Sequence, residues 1–361
     1  MEKGLKTNWR NIQEASVEEQ DLRKNLERQN LCTYGIKCLD DPLIGIAKDD
    51  LVVIGSDSGN GKSELAISIA KHNAQMGKKV ALYYLEGGYL EGFRRILWKD
   101  ICDYYYNNLH KHQKHIEMCY RKWITNEIDP YVLEIEKQIY LDNIEKYGDN
   151  LLFYNTSSGL TIDELVDSLT SFATGAYLNS SLELVHNYSL DLIIIDHLQY
   201  FSLLKGENEI SEITKILRTC KDITERNHIP IVLLSHFRKK TKDRGLPDQE
   251  DFYGSSNVPK ISSTSITIAP DSEKYDFANE IYPTYLRIVK SRIGIRGNIA
   301  MLSNFNSIEK KYSDEYEIYK VNNMGDVAKE PMAYNDLPSW AKGGCVSAYT
   351  KHEPNKNYMD I

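Results

Sequence analysis

The sequence predicts an α/β fold in which a mostly parallel central sheet is flanked by helices. Three observations carry that reading. Short uninterrupted apolar runs, such as Leu51-Val52-Val53-Ile54 and Leu192-Ile193-Ile194-Ile195, have the length and composition of strands buried on both faces. Segments with apolar residues at helical spacing lie between them, and strands alternating with helices form parallel sheets covered on both sides. A glycine-rich stretch, residues 55–63, falls at the first strand-to-helix junction.

Each element follows from local chemistry. Ser16 with Glu19 three residues on can cap a helix running through Leu22, Leu26 and Glu27, so residues 1–45 read as an arm or linker helix with a thin apolar face. Residues 51–54 form a strand ending in glycine. Leu65, Ile67, Ile69, Ala70 and Ala74 mark a helix from Lys62 to Gln75, which Gly77 stops. Residues 80–85 are the next strand. Residues 89–150, rich in Tyr, His, Lys, Asn and Glu, read as a helical excursion from the core. Residues 151–154 return as a strand, and Thr161 with Glu164 caps the helix that follows. Residues 192–195 are a central strand, 210–226 a helix and 229–234 a strand. Residues 265–269, 284–290 and 299–305 read as further short strands. The main domain thus covers residues 46–325, and the tail, 326–361, has weak periodicity.

Composition narrows the function. A chain of 361 residues can bury one substantial core plus small appendages. Its 41% hydrophobic and 27% charged residues are those of a soluble globular protein. No apolar run reaches the ~20 residues of a membrane span, and Met1-Glu2-Lys3-Gly4 leads into a polar segment, which points to the cytoplasm. The six scattered cysteines read as reduced and free of metal. A net charge of −8 argues against a surface that coats nucleic acid everywhere but leaves room for a local basic channel.

Gly55-Ser56-Asp57-Ser58-Gly59-Asn60-Gly61-Lys62-Ser63, between strand and helix, is a phosphate-binding loop pattern. Gly59, Asn60, Gly61, Lys62, Ser63 and Glu64 are the candidate contacts for ATP, through backbone N–H groups that converge on phosphate oxygens at a helix N-terminus. Lys62 is placed to reach the β and γ phosphates, and the Ser63 hydroxyl to hold Mg2+. The strict pattern has glycine where this chain has Ser56. Asp196, at the end of a central strand, is the second candidate for the metal. Glu86, after the neighbouring strand, is the candidate base for the attacking water, with Glu91 its competitor.

These motifs resemble the ATPase domain of DnaB-type replicative helicases, including the phage and plasmid versions, and the resemblance spans roughly residues 45–305. It implies a RecA-like P-loop core. Leu85-Glu86 resembles the family's second motif, whose glutamate is regarded as the base, and Asp191–Tyr200 its Walker B segment, with His197 where tyrosine is common. Residues 151–165 resemble its strand, turn and helix start, and residues 208–239 are the closest stretch. Ser235-His236-Phe237-Arg238 falls on the segment whose glutamine senses the γ-phosphate, so the resemblance gives that role to His236. Lys290-Ser291-Arg292-Ile293-Gly294 resembles the segment that projects toward the neighbouring subunit's nucleotide, with Arg292 as finger and Lys290 beside it. Residues 251–256 align loosely with the fourth motif, but Val258-Pro259-Lys260 departs from it.

The resemblance implies a homo-oligomeric ring, a hexamer, that acts on single-stranded DNA with a primase or loader as further partner. The basic run Arg238, Lys239, Lys240, Lys242 and Arg244 follows the sensor strand, which in RecA-like rings faces the pore. Lys205 lies on a second candidate loop. Contacts of this kind read the phosphate backbone rather than the bases. A 45-residue arm stands where full-length bacterial members carry a separate helical domain. The expected activity is ATP-driven unwinding or translocation on single-stranded DNA. The alternatives are a RecA-type recombinase or regulatory ATPase that binds DNA without unwinding it, and a loader or adaptor whose loop is an assembly switch.

Overall fold

Nine strands form one sheet, and the order in which they lie sets where the chemistry can be. The computed structural model describes residues 11–25, 31–108, 116–155, 160–173, 176–178, 184–186, 189–201, 209–238, 245–254, 257–293 and 297–342. The chain begins with α1 (Ile12–Asn25) and α2 (Lys37–Leu43), then β1 (Leu51–Ser56), α3 (Lys62–Gln75) and β2 (Val80–Tyr84). Three helices follow: α4 (Gly88–Asn107), α5 (Tyr120–Ile124) and α6 (Pro130–Tyr147). Next come β3 (Leu151–Phe153), α7 (Ile162–Ala173), a ribbon of β4 (Ala176–Leu178) with β5 (Leu184–His186), β6 (Leu192–Asp196), α8 (Glu209–Asn227) and β7 (Ile231–His236). The last part holds α9 (Val258–Ile261), β8 (Thr264–Pro270), β9 (Ile281–Lys290), β10 (Ile299–Asn306), β11 (Lys311–Lys320) and α10 (Ser339–Lys342).

The sheet order is β11-β10-β9-β8-β1-β7-β6-β2-β3. From β8 to β3 neighbouring strands are parallel, and β9 to β11 extend the sheet antiparallel. This is the mostly parallel α/β fold the sequence predicts. Every residue of β1, β2 and β6 is buried, as expected of strands covered on both faces. Leu65, Ile67, Ile69, Ala70 and Ala74 of α3 are buried, and Gly77 takes a positive φ of 77° after the helix ends.

Four differences from the sequence reading have physical causes. The cap of α1 is Asn11, not Ser16: Asn11 Oδ1 accepts the Glu14 N–H at 2.9 Å while Glu14 accepts the Asn11 N–H at 2.9 Å. The same reciprocal box simply begins five residues earlier, and Glu19 pairs with Arg23 at 2.8 Å instead. The second difference concerns residues 31–45, assigned to the arm: Cys32, Tyr34, Cys38 and Leu39 are buried in the main core. Thirdly, β11 was not anticipated, because its buried positions are Tyr312, Tyr316 and Ile318 on one face and Tyr319 on the other, and a tyrosine-based alternation reads as polar. Fourthly, the described part of the tail is anchored, with Leu337 and Ala341 buried against the core.

The excursion is helical, as expected, with its own core of Trp98, Tyr105, Trp123, Val132 and Ile135. Several contacts tie it to α3 and to the turn between β10 and β11. The Trp98 indole donates to the Ile308 carbonyl at 2.7 Å, and Lys71 of α3 pairs with Asp100 and Asp103 of α4 at 3.2 and 2.6 Å. Among the described residues, no helix is long and apolar enough to cross a membrane.

Candidate functional site

The parallel strands β1, β2, β6 and β7 all end on the same edge of the sheet, where loops meet helix N-termini and ligands of such sheets bind. The glycine-rich loop leaves β1 there. Gly55 sits where a Cβ would come within 2.5 Å of the rings of Phe237 and Phe252, so only glycine fits beneath the loop. Ser56 needs no glycine conformation: it is a buried strand residue whose hydroxyl donates to the Asp57 carbonyl at 2.8 Å. Gly59 and Gly61 carry positive φ values of 83° and 81°, the turn that aims successive N–H groups inward. Gly61 also passes close over Tyr312, whose buried hydroxyl lacks a hydrogen-bond partner among the described residues.

Around this loop lies a cavity of about 640 Å³ lined by Gly59, Asn60, Gly61, Lys62, Ser63 and Glu86 on one side and by Tyr275, Tyr282 and Phe305 on the other. The predicted contacts are therefore brought together, except that the Glu64 side chain is used otherwise. Its buried carboxylate meets Arg95, Lys99 at 3.1 Å and Lys310 at 3.6 Å. Burial opposes its ionisation, but these three cations hold its carboxyl below the ordinary range. What Glu64 offers the cavity is its place on the first turn of α3.

Asp196 is fully buried at the end of β6. Neither of its oxygens accepts a well-formed hydrogen bond among the described residues. Burial pushes its carboxyl up to about 6, offset in part by the nearby Ser63 hydroxyl and the Lys62 charge. A buried carboxylate whose charge is only partly offset, beside a hydroxyl, fits a divalent cation such as Mg2+, which would supply the missing charge. Lys62 is buried, and desolvation lowers its pKa against the pull of Asp196 and Glu86.

Glu86 and Glu91 differ in how they are held. Arg95 donates to Glu91 through Nε at 3.0 Å and through a second nitrogen, so that carboxylate is clamped. The Glu86 side chain is 42% exposed, and its nearest charged-type neighbour is His197 Nε2 at 3.7 Å. His236, at the end of β7, reaches the loop: Lys62 Nζ is 3.2 Å from its Nδ1 and 3.4 Å from its Nε2. The His236 and His197 rings lie edge to face, 4.2 Å between centroids, with 2.9 Å between their Nε2 atoms. The contact of His197 with His236 was missed because the two histidines are far apart in sequence, and only the β6–β7 pairing joins them.

The remaining predicted residues are elsewhere. Arg238 is exposed just past β7. Lys205, Lys239, Lys240, Lys242 and Arg244 lie outside the described residues. Lys290 turns back into its own chain, donating to the carbonyls of Pro259 and Ser262, so it braces α9. Arg292 is exposed. Because β9 runs antiparallel to β8, with Lys290 opposite Ser265 and Ser265 opposite Val53, Arg292 sits toward the Asp50 end of β1. Burial raises the carboxyl of Asp50, and the charge of Arg292 is the smallest of the groups that partly offset it.

With this geometry in place, comparison with known proteins gives the family. The DnaB-like helicase C-terminal domain matches residues 134–314. The chain belongs to that family. As a DnaB-family chain it is 22% identical over 319 residues to the replicative DNA helicase DnaB of Haemophilus influenzae, covering 85% of this chain and 62% of that protein. It is 26% identical over 217 residues to a probable plasmid replicative DNA helicase of Chlamydia psittaci, covering 58% of this chain and 40% of that one. The chain thus spans less than two thirds of these relatives. Among solved structures, an isolated ATPase domain superposes with a TM-score of 0.62 at 15% identity, covering 84% of this chain and 98% of that domain. A DnaB-like replicative helicase, from a study of its interactions with primase, gives 0.63 at 15% identity over 84% of this chain and 67% of that one. Both likenesses establish the RecA-like fold.

Proposed function

We propose that this chain is an ATP-dependent DNA helicase or translocase that moves on single-stranded DNA as a ring. The observation that carries the reading is that Lys62, Ser63 and Glu86 line one cavity on the strand-end edge of the sheet, with Asp196 beside Ser63 and Lys62 and with His236 3.2 Å from the Lys62 ammonium. In this reading the turn of Gly59, Asn60 and Gly61 cradles the triphosphate and Lys62 neutralises the β and γ phosphates. Ser63 and Asp196 hold Mg2+, which supplies charge stabilisation at the phosphates. Glu86 takes a proton from the attacking water, and its freedom from the Arg95 clamp favours it over Glu91. Tyr275, Tyr282 and Phe305 line the far wall of the cavity.

Arg292 serves a neighbouring subunit's nucleotide, which makes hydrolysis depend on assembly. Its position supports this. From Leu51 to Ser56 the sheet extends five residues at ~3.3 Å each, so Arg292 stands roughly 17 Å from its own loop. Arg238 and the basic residues after it contact the DNA backbone, and a hexamer with a primase or loader as partner is the assembly the family likeness favours. The test is strand separation on a forked duplex with ATP and Mg2+. Unwinding that stops in Glu86→Gln supports the motor. DNA-stimulated hydrolysis without strand separation would support a recombinase-like ATPase, and ATP binding without turnover an assembly switch.

A further inference from the structure

We propose that His197 is a positioning residue: through its hydrogen bond to His236 it fixes the tautomer of that ring, so that His236 presents an N–H to the γ-phosphate. The inference rests on the reading that the cavity takes a nucleoside triphosphate. Its basis is an account of where each proton can be.

His197 is 3% exposed at the end of β6. Its Nδ1 accepts the backbone N–H of Gln199 at 3.3 Å, and a backbone amide can only donate. A neutral His197 therefore carries its proton on Nε2. The ring is neutral because an Nδ1 that accepts carries no proton; at Nε2 the 2.9 Å contact to His236 is the hydrogen bond, with Glu86 Oε2 farther off at 3.7 Å. The Nε2–H points along the 2.9 Å contact to His236 Nε2, which must accept. A neutral His236 then has its proton on Nδ1.

That proton faces the wrong partner in the absence of nucleotide. Lys62 Nζ is 3.2 Å from Nδ1, and an ammonium has donors only. The nearer contact is thus N–H against N–H, and Lys62 is left with Nε2 at 3.4 Å, which His197 already occupies. Burial first and then Lys62 hold His236 below the ordinary imidazole range, against the smaller pull of Glu86, the Ser56 backbone and Asp57. One anionic oxygen placed in the cavity accepts from both Lys62 and His236 Nδ1–H and removes the conflict. Gln199 holds the frame, since its Oε1 accepts the His236 backbone N–H at 3.2 Å and its amide donates to Ser235 Oγ at 3.4 Å. Locked this way, His236 offers the cavity a fixed N–H, and His197 supplies the lock.

The test has a readout that does not depend on turnover. In protein carrying nitrogen-15-labelled histidine and free of nucleotide at pH 8, His236 is expected to show a protonated Nδ1 and a bare Nε2, with His197 the reverse. His236→Gln and His197→Phe assign the signals. Affinities for ATP and ADP then measure the consequence. His197→Phe should weaken ATP about tenfold, the scale of one hydrogen bond to a charged group, and leave ADP within about twofold. His197→Gln, which restores a donor, should recover most of the loss. In the His236→Gln background His197→Phe should have no effect on the ATP-to-ADP ratio, because an amide donor needs no tautomer lock. A protonated Nε2 on His236 in the unmodified protein would overturn the proposal, as would an equal loss from His197→Phe in both backgrounds. Failure of the unmodified protein to bind either nucleotide would instead overturn the nucleotide reading, and the tautomers would still decide the assignment of His197.

Discussion

Replacing Arg292 with alanine separates two readings that differ by orders of magnitude. The guanidinium is exposed beyond β9, at the sheet end away from its own glycine-rich loop, roughly 17 Å off by strand length. Across that distance in water two unit charges interact by about 0.2 kcal/mol before salt screening. Service to its own nucleotide would therefore change the rate by less than about twofold. A finger that reaches the neighbour's nucleotide is worth ~10³–10⁵ in rate in well-studied cases, so a fall of at least ~100-fold is expected with ATP binding intact. Mixing Arg292→Ala with Glu86→Gln subunits turns the geometry into an assay. Each competent site needs its own Glu86 and a neighbour's Arg292, so random equal mixing restores about a quarter of the sites in a head-to-tail ring. ATPase measured across mixing ratios should rise from near zero to a maximum at equal parts. No recovery at any ratio, with subunit exchange demonstrated, refutes the reasoning. So does an Arg292→Ala protein within twofold of the unmodified rate.

Two further outcomes follow from the buried charges. Asp196 has a folded pKa of about 6, above its unfolded value, so the native state favours its protonated form. Stability from this group is full below about pH 4, is lost as pH rises toward 6, and the penalty is complete above that, at most roughly 3 kcal/mol. Asp196→Asn should therefore stabilise the nucleotide-free protein in denaturant titrations at pH 7.5, with the gain vanishing near pH 4, and should abolish stabilisation by MgATP. Glu64→Ala should destabilise the protein by about 3–5 kcal/mol, because Lys99 would be left buried without its carboxylate. Denaturant midpoints at constant slope would measure it.

What was legible in the sequence was whatever local signals agreed upon. The α3 helix has its start at Lys62, its apolar spacing and its stop at Gly77 within one short stretch, and it is found from Lys62 to Gln75. The capping box of Thr161 and Glu164 is present, with the two backbone N–H bonds at 2.8 and 3.1 Å. What was not legible depends on pairing across the chain. Lys290 and Arg292 look alike on a strand, yet one docks on the carbonyls near α9 and the other stands exposed. Glu64 follows the loop and looks like a nucleotide contact, but α4 supplies the cations that take its carboxylate. Glu86 and Glu91 could be told apart only once Arg95 was seen to hold the second. The meeting of His197 with His236 is set by strands β6 and β7 lying side by side.

The central claim is that this cavity hydrolyses ATP with Glu86 as base, and one comparison tests it most directly. MgATP affinity and turnover are measured for the unmodified protein and for Glu86→Gln, with single-stranded DNA present. The account predicts turnover by the unmodified protein, with unchanged affinity and a rate lower by about 10²–10⁴ in Glu86→Gln, the range for loss of a general base. Equal turnover in the two proteins, or none in the unmodified one, would contradict it.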